Sequence, residues 1–207
     1  MTPDPELPKF PSLEFERVLW KNGYSRLAGI DEAGRGAWAG PVAAAAVLLP
    51  DRPELSKTLA GVCDSKLMTP RARTAWTPRI REAALAWGVG FASAEEIDRL
   101  GIVPATKLAA LRALEGLSPD YLLTDFLVFG ELDLPQTALV KGDRRSLSVA
   151  AASVLAKTAR DALLCELEQR YPGYGFARHK GYGTRLHQEA LRRLGLCEIH
   201  RKSFSIL

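Results

Sequence analysis

Between Pro41 and Pro50 the chain reads Val-Ala-Ala-Ala-Ala-Val-Leu-Leu, an unbroken apolar run closed off by proline at each side. A run this short, bounded in this way, reads as a buried strand. Just upstream, Arg26-Leu-Ala-Gly-Ile30 is a second short strand, and the segment between the two, Gly34-Arg35-Gly36-Ala-Trp-Ala-Gly40, is glycine-rich. Two strands joined by a short corner predict an antiparallel hairpin, and the fold must be built around it.

Helices interleave with further strands downstream. A short helix is expected over Leu13–Trp20. Thr69-Pro70 is an N-cap followed by proline in the first helical position, opening a helix that should run to about Ala86. Trp87–Ser93 reads as a strand, and Ser93-Ala-Glu-Glu96 is a capping box before a short helix. Pro104–Leu114 carries the 3.6-residue apolar period of a helix. Tyr121–Asp125 and Thr137–Lys141 are strand-like. Ser146–Tyr171 reads as one long helix whose small residues, Ala150 to Ser153 and Ala156, permit close approach to a sheet. Leu186–Leu194 is a last helix. The pattern is α/β with a mixed central sheet flanked by helices. It divides into a flexible, proline-rich leader (1–12), an α/β body (13–172) and a basic C-terminal helical appendage (173–207).

Composition narrows the function classes. With 207 residues, 47% hydrophobic and 25% charged, the chain can bury a core without disulfides, which excludes disordered, collagenous and disulfide-scaffold classes. The longest apolar run is too short to span a membrane, and the acidic start is no secretory signal. Cys63, Cys165 and Cys197 are odd in number and form no CxxC pair, which argues against zinc and for a reducing, cytoplasmic setting. The net charge of +4 is uneven: residues 170–207 hold eight Lys/Arg against two acids, leaving the rest slightly negative. A basic end on a mildly acidic body suits a polyanion partner, although a solvated basic helix would read the same way.

The chemical signal is acidic. Asp31-Glu32 follows one apolar strand, Asp125 closes another, and Asp143 follows a third. Taken singly, each acid is better explained as a surface turn residue or helix cap. Together they place carboxylates at three strand ends, where sites form in open α/β sheets. Four convergent carboxylates make a hard oxygen cage suited to Mg²⁺ or Mn²⁺, and two such ions can clamp a phosphodiester. For Asp31 and Glu32 to face one site, the strand should end there, because strand neighbours point to opposite faces. The glycine corner imitates a dinucleotide fingerprint only loosely, since Pro41 and a strand follow it in place of a helix.

These residues sit within longer strings: Ala28-Gly-Ile-Asp-Glu-Ala-Gly-Arg-Gly36, Asp64-Ser-Lys66, Tyr121-Leu-Leu-Thr-Asp125, Lys141-Gly-Asp143 with Ala150-Ala-Ala-Ser-Val-Leu-Ala-Lys157, Tyr171 through Gly183, and Ile199-His-Arg-Lys-Ser-Phe204. Together they resemble the type 2 ribonuclease H family in its single-chain bacterial form, from about residue 26 to 204. The resemblance implies a ribonuclease-H-like fold with a small C-terminal helical part. It implies that Asp31, Glu32, Asp125 and Asp143 bind metal, and that Gly34, Arg35 and Gly36 sense the ribose 2′-hydroxyl. Tyr182 would help recognise the RNA-to-DNA junction. The implied activity is cleavage of RNA in RNA–DNA hybrids and incision of duplex DNA at embedded ribonucleotides, with two divalent ions, leaving 3′-hydroxyl and 5′-phosphate. Lys66, Arg178, Lys180 and Arg201 are the expected phosphate contacts, Lys141 is expected in the substrate site as a balance to the charge of the acids, and the enzyme is expected to act as a monomer. Two departures stand out: Ala37-Trp38 where the family commonly has proline and leucine, and an unusually apolar segment, Phe126–Glu131, after Asp125. The other readings are a non-catalytic nucleic-acid-binding module and a metal nuclease of related fold acting on another DNA structure. His179, His187 and His200 receive no catalytic role and read as phosphate neighbours or helix-surface residues.

Overall fold

The computed structural model describes residues 7–8 and 10–206; most of the expected leader lies outside them. Five strands, β1 (Leu27–Ala33), β2 (Val42–Leu48), β3 (Ala86–Ala92), β4 (Tyr121–Asp125) and β5 (Gln136–Leu139), form one mixed sheet in the order β3-β2-β1-β4-β5. The expected hairpin is present: β1 and β2 are antiparallel, as are β2 and β3, while β4 and β5 add in parallel beside β1.

The helices are α1 (Glu14–Lys21), α2 (Leu55–Thr58), α3 (Pro70–Ala83), α4 (Ala94–Leu100), α5 (Ile102–Leu114), α6 (Leu147–Arg170), α7 (Phe176–His179) and α8 (Arg185–Leu194). The caps read from sequence are in place: the Thr69 hydroxyl accepts from the Ala72 amide, and Ser93 and Glu96 close a reciprocal capping box. Helix α3 ends three residues earlier than expected, because Ala84 turns to an extended conformation and feeds β3.

Small residues let the layers approach closely. Helix α6 covers one face of the sheet, with Ala150, Ala151 and Val154 against Ala45 and Val47; α5 covers the other, with Ala105, Ala109 and Ala113 against Ala44 and Ala46. On the α5 side, a Cβ at Gly88 or Gly90 would lie 2.1 Å from the carbonyl oxygen of Ala113 or Ala109. The start of α6 is fixed by α1. Buried Glu16 Oε1 accepts from the Ser146 hydroxyl (2.6 Å), the Ser148 hydroxyl (2.8 Å) and the Ser148 amide (2.9 Å). A carboxylate there also meets the positive end of the helix dipole. Ser12 bridges to Ser146, so the end of the expected leader is tied to the body.

The C-terminal segment packs into a shared core: Tyr174, Phe176, Ala190, Leu191 and Ile206 join Ala39 and Leu164. Ala39 pairs with His200 in an isolated bridge, which stitches this segment to the glycine corner. Among the described residues no helix is long and apolar enough to cross a membrane, and Cys63, Cys165 and Cys197 are free.

Candidate active site

Strand β1 does not end at Asp31-Glu32. Both acids pair with β2, at Ala45 and Ala44, and β1 continues to Ala33. The parallel ladder with β4 stops one residue earlier, at Ile30–Thr124. The strand therefore outruns one neighbour and not the other, and this step opens the carboxylates toward β4 without the turn expected from the sequence. Asp125 ends β4, its Oδ1 accepting the Gly142 amide at 2.8 Å. Asp143 lies in a 3-10 turn, Gly142–Arg144, that follows Lys141 in a left-handed conformation. That turn links β5 to α6 and places Asp143 beside Asp125.

The electrostatics show how closely the four acids gather. Burial pushes Asp31 well above the usual carboxylate range, and Glu32, Asp125 and Asp143 push it further, while a hydrogen bond from Ser153 of α6 partly offsets them. Glu32 is likewise raised by burial, against the pull of Arg35, whose Nη1 lies 3.2 Å from Oε1. Asp143 is pushed up to about 6 by burial, then by Asp64 and Asp125. Lys66 answers this charge: burial lowers its pKa, but Asp31, Asp143, Asp64 and Asp125 together raise it, and its Nζ lies 3.9 Å from Asp143 Oδ2.

Two buried oxygens, Asp31 Oδ2 and Glu32 Oε2, have no hydrogen-bond partner. Such atoms are costly unless a cation joins them. No three His, Cys, Asp or Glu side chains among the described residues close into a finished metal cage. The donor set is nonetheless all oxygen, anionic and mutually repelling, which is the chemistry that Mg²⁺ or Mn²⁺ relieves.

The glycine corner is braced from beneath by two buried arginines. Arg160 of α6 donates to the carbonyls of Pro41, Ala39 and Lys180, and a Cβ at Gly34 (φ +92°) would lie 1.9 Å from its Nε. Arg201 donates to the carbonyls of Gly40 and Arg35. Arg201 was expected at a phosphate; it is fully buried, and its guanidinium holds the loop from inside. Gly36 has open space where a side chain would project. Half-buried Tyr182 lies with its ring 5.4 Å from Lys157 Nζ and 5.5 Å from the Arg160 guanidinium carbon. Lys180 Nζ is 2.9 Å from Cys165 Sγ, whereas Arg178 and Lys141 are exposed. The three histidines are buried, contrary to the surface setting expected for them.

Sequence reasoning did not single out Asp64, Ser153 or Arg160. Asp64 stood within the quoted Asp64-Ser-Lys66 string, and its Oδ1 accepts the Lys66 amide at 2.9 Å, which ties Lys66 to the acids. Ser153 stood within the quoted Ala150–Lys157 string only as one more small residue, and nothing in the sequence marked Arg160 apart from other residues of α6.

Residues 28–206 match the family model described as Ribonuclease HII. The chain belongs to the ribonuclease HII family. A protein described as Ribonuclease HII from Roseiflexus castenholzii is 53% identical over 200 residues, covering 94% of this chain and 88% of that one. Among solved structures, the chain is similar to one described as the PCNA:RNase HII complex from Archaeoglobus fulgidus, with a TM-score of 0.72, 28% identity, and coverage of 85% of this chain and 92% of the other. It shares its fold with Bst-RNase HIII in complex with Mn²⁺ at a TM-score of 0.68 and 20% identity, covering 88% of this chain and 68% of that one. The chain is thus a type 2 ribonuclease H, a hydrolase that cleaves the RNA strand of RNA–DNA hybrids.

Proposed function

We propose that this enzyme cleaves RNA in hybrids and also incises duplex DNA on the 5′ side of embedded ribonucleotides, leaving 3′-hydroxyl and 5′-phosphate ends. The pair of orphaned, buried oxygens on adjacent Asp31 and Glu32, crowded by Asp125 and Asp143, carries the reading, because a bound cation would relieve both at once. Asp31, Glu32, Asp125 and Asp143 would hold Mg²⁺ or Mn²⁺, two ions in the reacting complex. Bound there, divalent ions supply an activated water and stabilise the departing 3′-oxygen.

The protein's own groups do the rest. Asp143, pushed up to about 6, and Asp31, raised by burial and by the neighbouring acids, carry a charge cost that bound cations would relieve. The backbone of Gly34 and Gly36 can contact a 2′-hydroxyl, the group that distinguishes RNA from DNA, because no side chain stands in the way. Arg35, next to Glu32, reaches the scissile phosphate, and Lys66 balances charge on the acids. Tyr182 stacks on the sugar or base at the junction. Lys141, Arg178 and Lys180 meet backbone phosphates. Arg201 serves the same surface by holding the loop rather than by touching substrate. The enzyme acts as a monomer in the cytoplasm.

The test is a panel of duplexes with zero, one and several ribonucleotides, each assayed with Mg²⁺, with Mn²⁺ and with chelator. Metal-dependent cutting of every ribonucleotide-containing duplex, and none of pure DNA, is expected. Cutting of the long hybrid alone would remove the incision activity. Binding without cutting under either metal would leave a nucleic-acid-binding module.

A further inference from the structure

Beneath Tyr182 lies a cluster that the reaction does not use. His179 ends α7, His187 is in the first turn of α8, and His200 follows α8; all three are buried. The His179 and His187 rings stack with centroids 4.3 Å apart. His187 Nε2 and His200 Nε2 are 3.0 Å apart, a distance that requires one proton between two ring nitrogens.

The backbone groups at the ends assign every proton. His187 Nδ1 is 3.0 Å from the Tyr182 carbonyl oxygen, which can only accept, so Nδ1 carries hydrogen. In a neutral ring Nε2 is then bare and accepts from His200 Nε2–H. His200 Nδ1 must in turn be bare, and it faces the Cys197 amide at 2.9 Å, which can only donate. The amide hydrogen aimed at Nδ1 occupies that nitrogen's lone pair, so the Cys197 carbonyl oxygen, 3.2 Å away, receives no hydrogen from this ring. A proton on His200 Nδ1 would force a second one onto His187 and bury a cation. His179 completes the pattern: its Nδ1 accepts from the Gly181 amide at 3.2 Å and its Nε2 donates to the Tyr174 carbonyl at 2.8 Å.

The surroundings favour neutral rings. Phe176, Tyr174 and Trp38 pack against the cluster, and the Cys197 thiol lies 3.1 Å from His200 Nδ1. The charged groups that act on it are Glu168 of α6, which raises His179, and Lys180, which lowers it. Burial dominates for all three, and it takes His187 down to about 4.

We propose that His179, His187 and His200 are positioning residues for Tyr182, a chain of neutral imidazoles with one proton arrangement that fixes the Gly181–Tyr182 backbone against the glycine corner. The Gly181 amide is held by His179 and the Tyr182 carbonyl by His187. The Gly181 carbonyl accepts from the Trp38 amide at 2.8 Å and the Ala39 amide at 3.2 Å. A Cβ at Gly181 would lie 2.3 Å from the Ala39 carbonyl oxygen, so the two loops meet backbone to backbone. The histidines thereby set where the Tyr182 ring stands relative to Gly34 and Gly36. The inference rests on the reading of Tyr182 as a substrate contact.

Imidazole ¹⁵N–¹H correlation spectra of the wild-type protein at pH 7 test the proton arrangement directly. The expected result is His187 protonated at Nδ1, and His179 and His200 at Nε2; a doubly protonated or Nε2-protonated His187 overturns the chain. Kinetics of His200→Leu and His200→Gln test its purpose. Leucine removes the donor to His187, whereas the glutamine amide can replace it. On a duplex with one ribonucleotide, His200→Leu should raise KM about tenfold with kcat within about twofold, and His200→Gln should restore KM to within about twofold. Equal losses on this duplex and on a long hybrid, or no rescue by glutamine, would reduce the cluster to ordinary core packing. Tyr182→Ala separates the two readings. If it leaves KM on that duplex unchanged, the role given to Tyr182 fails; if it raises KM and His200→Leu does not, the histidine inference fails.

Discussion

Gly29 of β1 lies directly against Ser148 of α6: a Cβ on Gly29 would stand 2.3 Å from the Ser148 carbonyl carbon. This contact sets the height of α6 above the sheet, and with it the depth at which Ser153 meets Asp31. Gly29→Ala should therefore lift α6 and destabilise the fold by about 2–4 kcal/mol, as overpacking against backbone does. Chemical denaturation measures the loss, and an unchanged midpoint would show that the helix can shift freely.

Crowding of the acids carries a stability cost with a definite pH sign. Asp143 is raised in the fold to about 6 from 3.8, so between those values the native state binds more protons than the unfolded one. Stability of the metal-free protein should fall as pH rises through that window, with the cost complete above about pH 6; Asp31 and Glu32, raised in the same direction, add to it. Asp143→Asn should raise the melting temperature of the metal-free protein at pH 7.5 by roughly 2–4 °C while abolishing cleavage. Adding Mn²⁺ should stabilise the wild type and leave the variant nearly unmoved.

Arg201 and Arg178 separate loop bracing from phosphate contact. Arg201→Met strands the carbonyls of Arg35 and Gly40 and should cost about 2–3 kcal/mol of stability, with the salt dependence of substrate binding unchanged. Exposed Arg178→Ala should leave stability alone and reduce the slope of log Kd against log salt by about one. Thermal melts and salt-titrated binding distinguish the two.

Lys66 lies where it balances several acids at once. Lys66→Met should lower kcat/KM about tenfold or more and raise the pKa of Asp143, since a favourable charge is removed. A shift of the acid limb of the pH–rate profile to higher pH checks this. An unchanged limb would place Lys66 in solvent.

The sheet was legible because its strands are short apolar runs cut by glycine and proline, and Ser93-Ala-Glu-Glu96 announced α4 through a capping box that forms as read. The four-residue helices α2 and α7 were not legible, since one turn carries no period. The early end of α3 was hidden for a related reason: Ala83-Ala-Leu-Ala86 is an apolar, helix-compatible run, and only the pairing of β3 with β2 pulls it straight. At the site, the acids were readable from their places after apolar runs, but Asp31 and Glu32 converge because β1 outruns β4, a relation between strands far apart in sequence. Charge alone misled for Arg201 and the histidines. A basic, histidine-bearing tail looks like a surface, and only the docking of α7 and α8 on Ala39 and Leu164 turns these residues inward.

The central claim is that Asp31 and its three partners gather to hold divalent cations. Titration of the protein with Mn²⁺, following the free ion by electron paramagnetic resonance at pH 7.5, tests it most directly. Wild-type protein should deplete the free-ion signal, and Asp31→Asn should weaken that binding by more than about tenfold. Equal depletion by both proteins, or none by the wild type, would contradict the account.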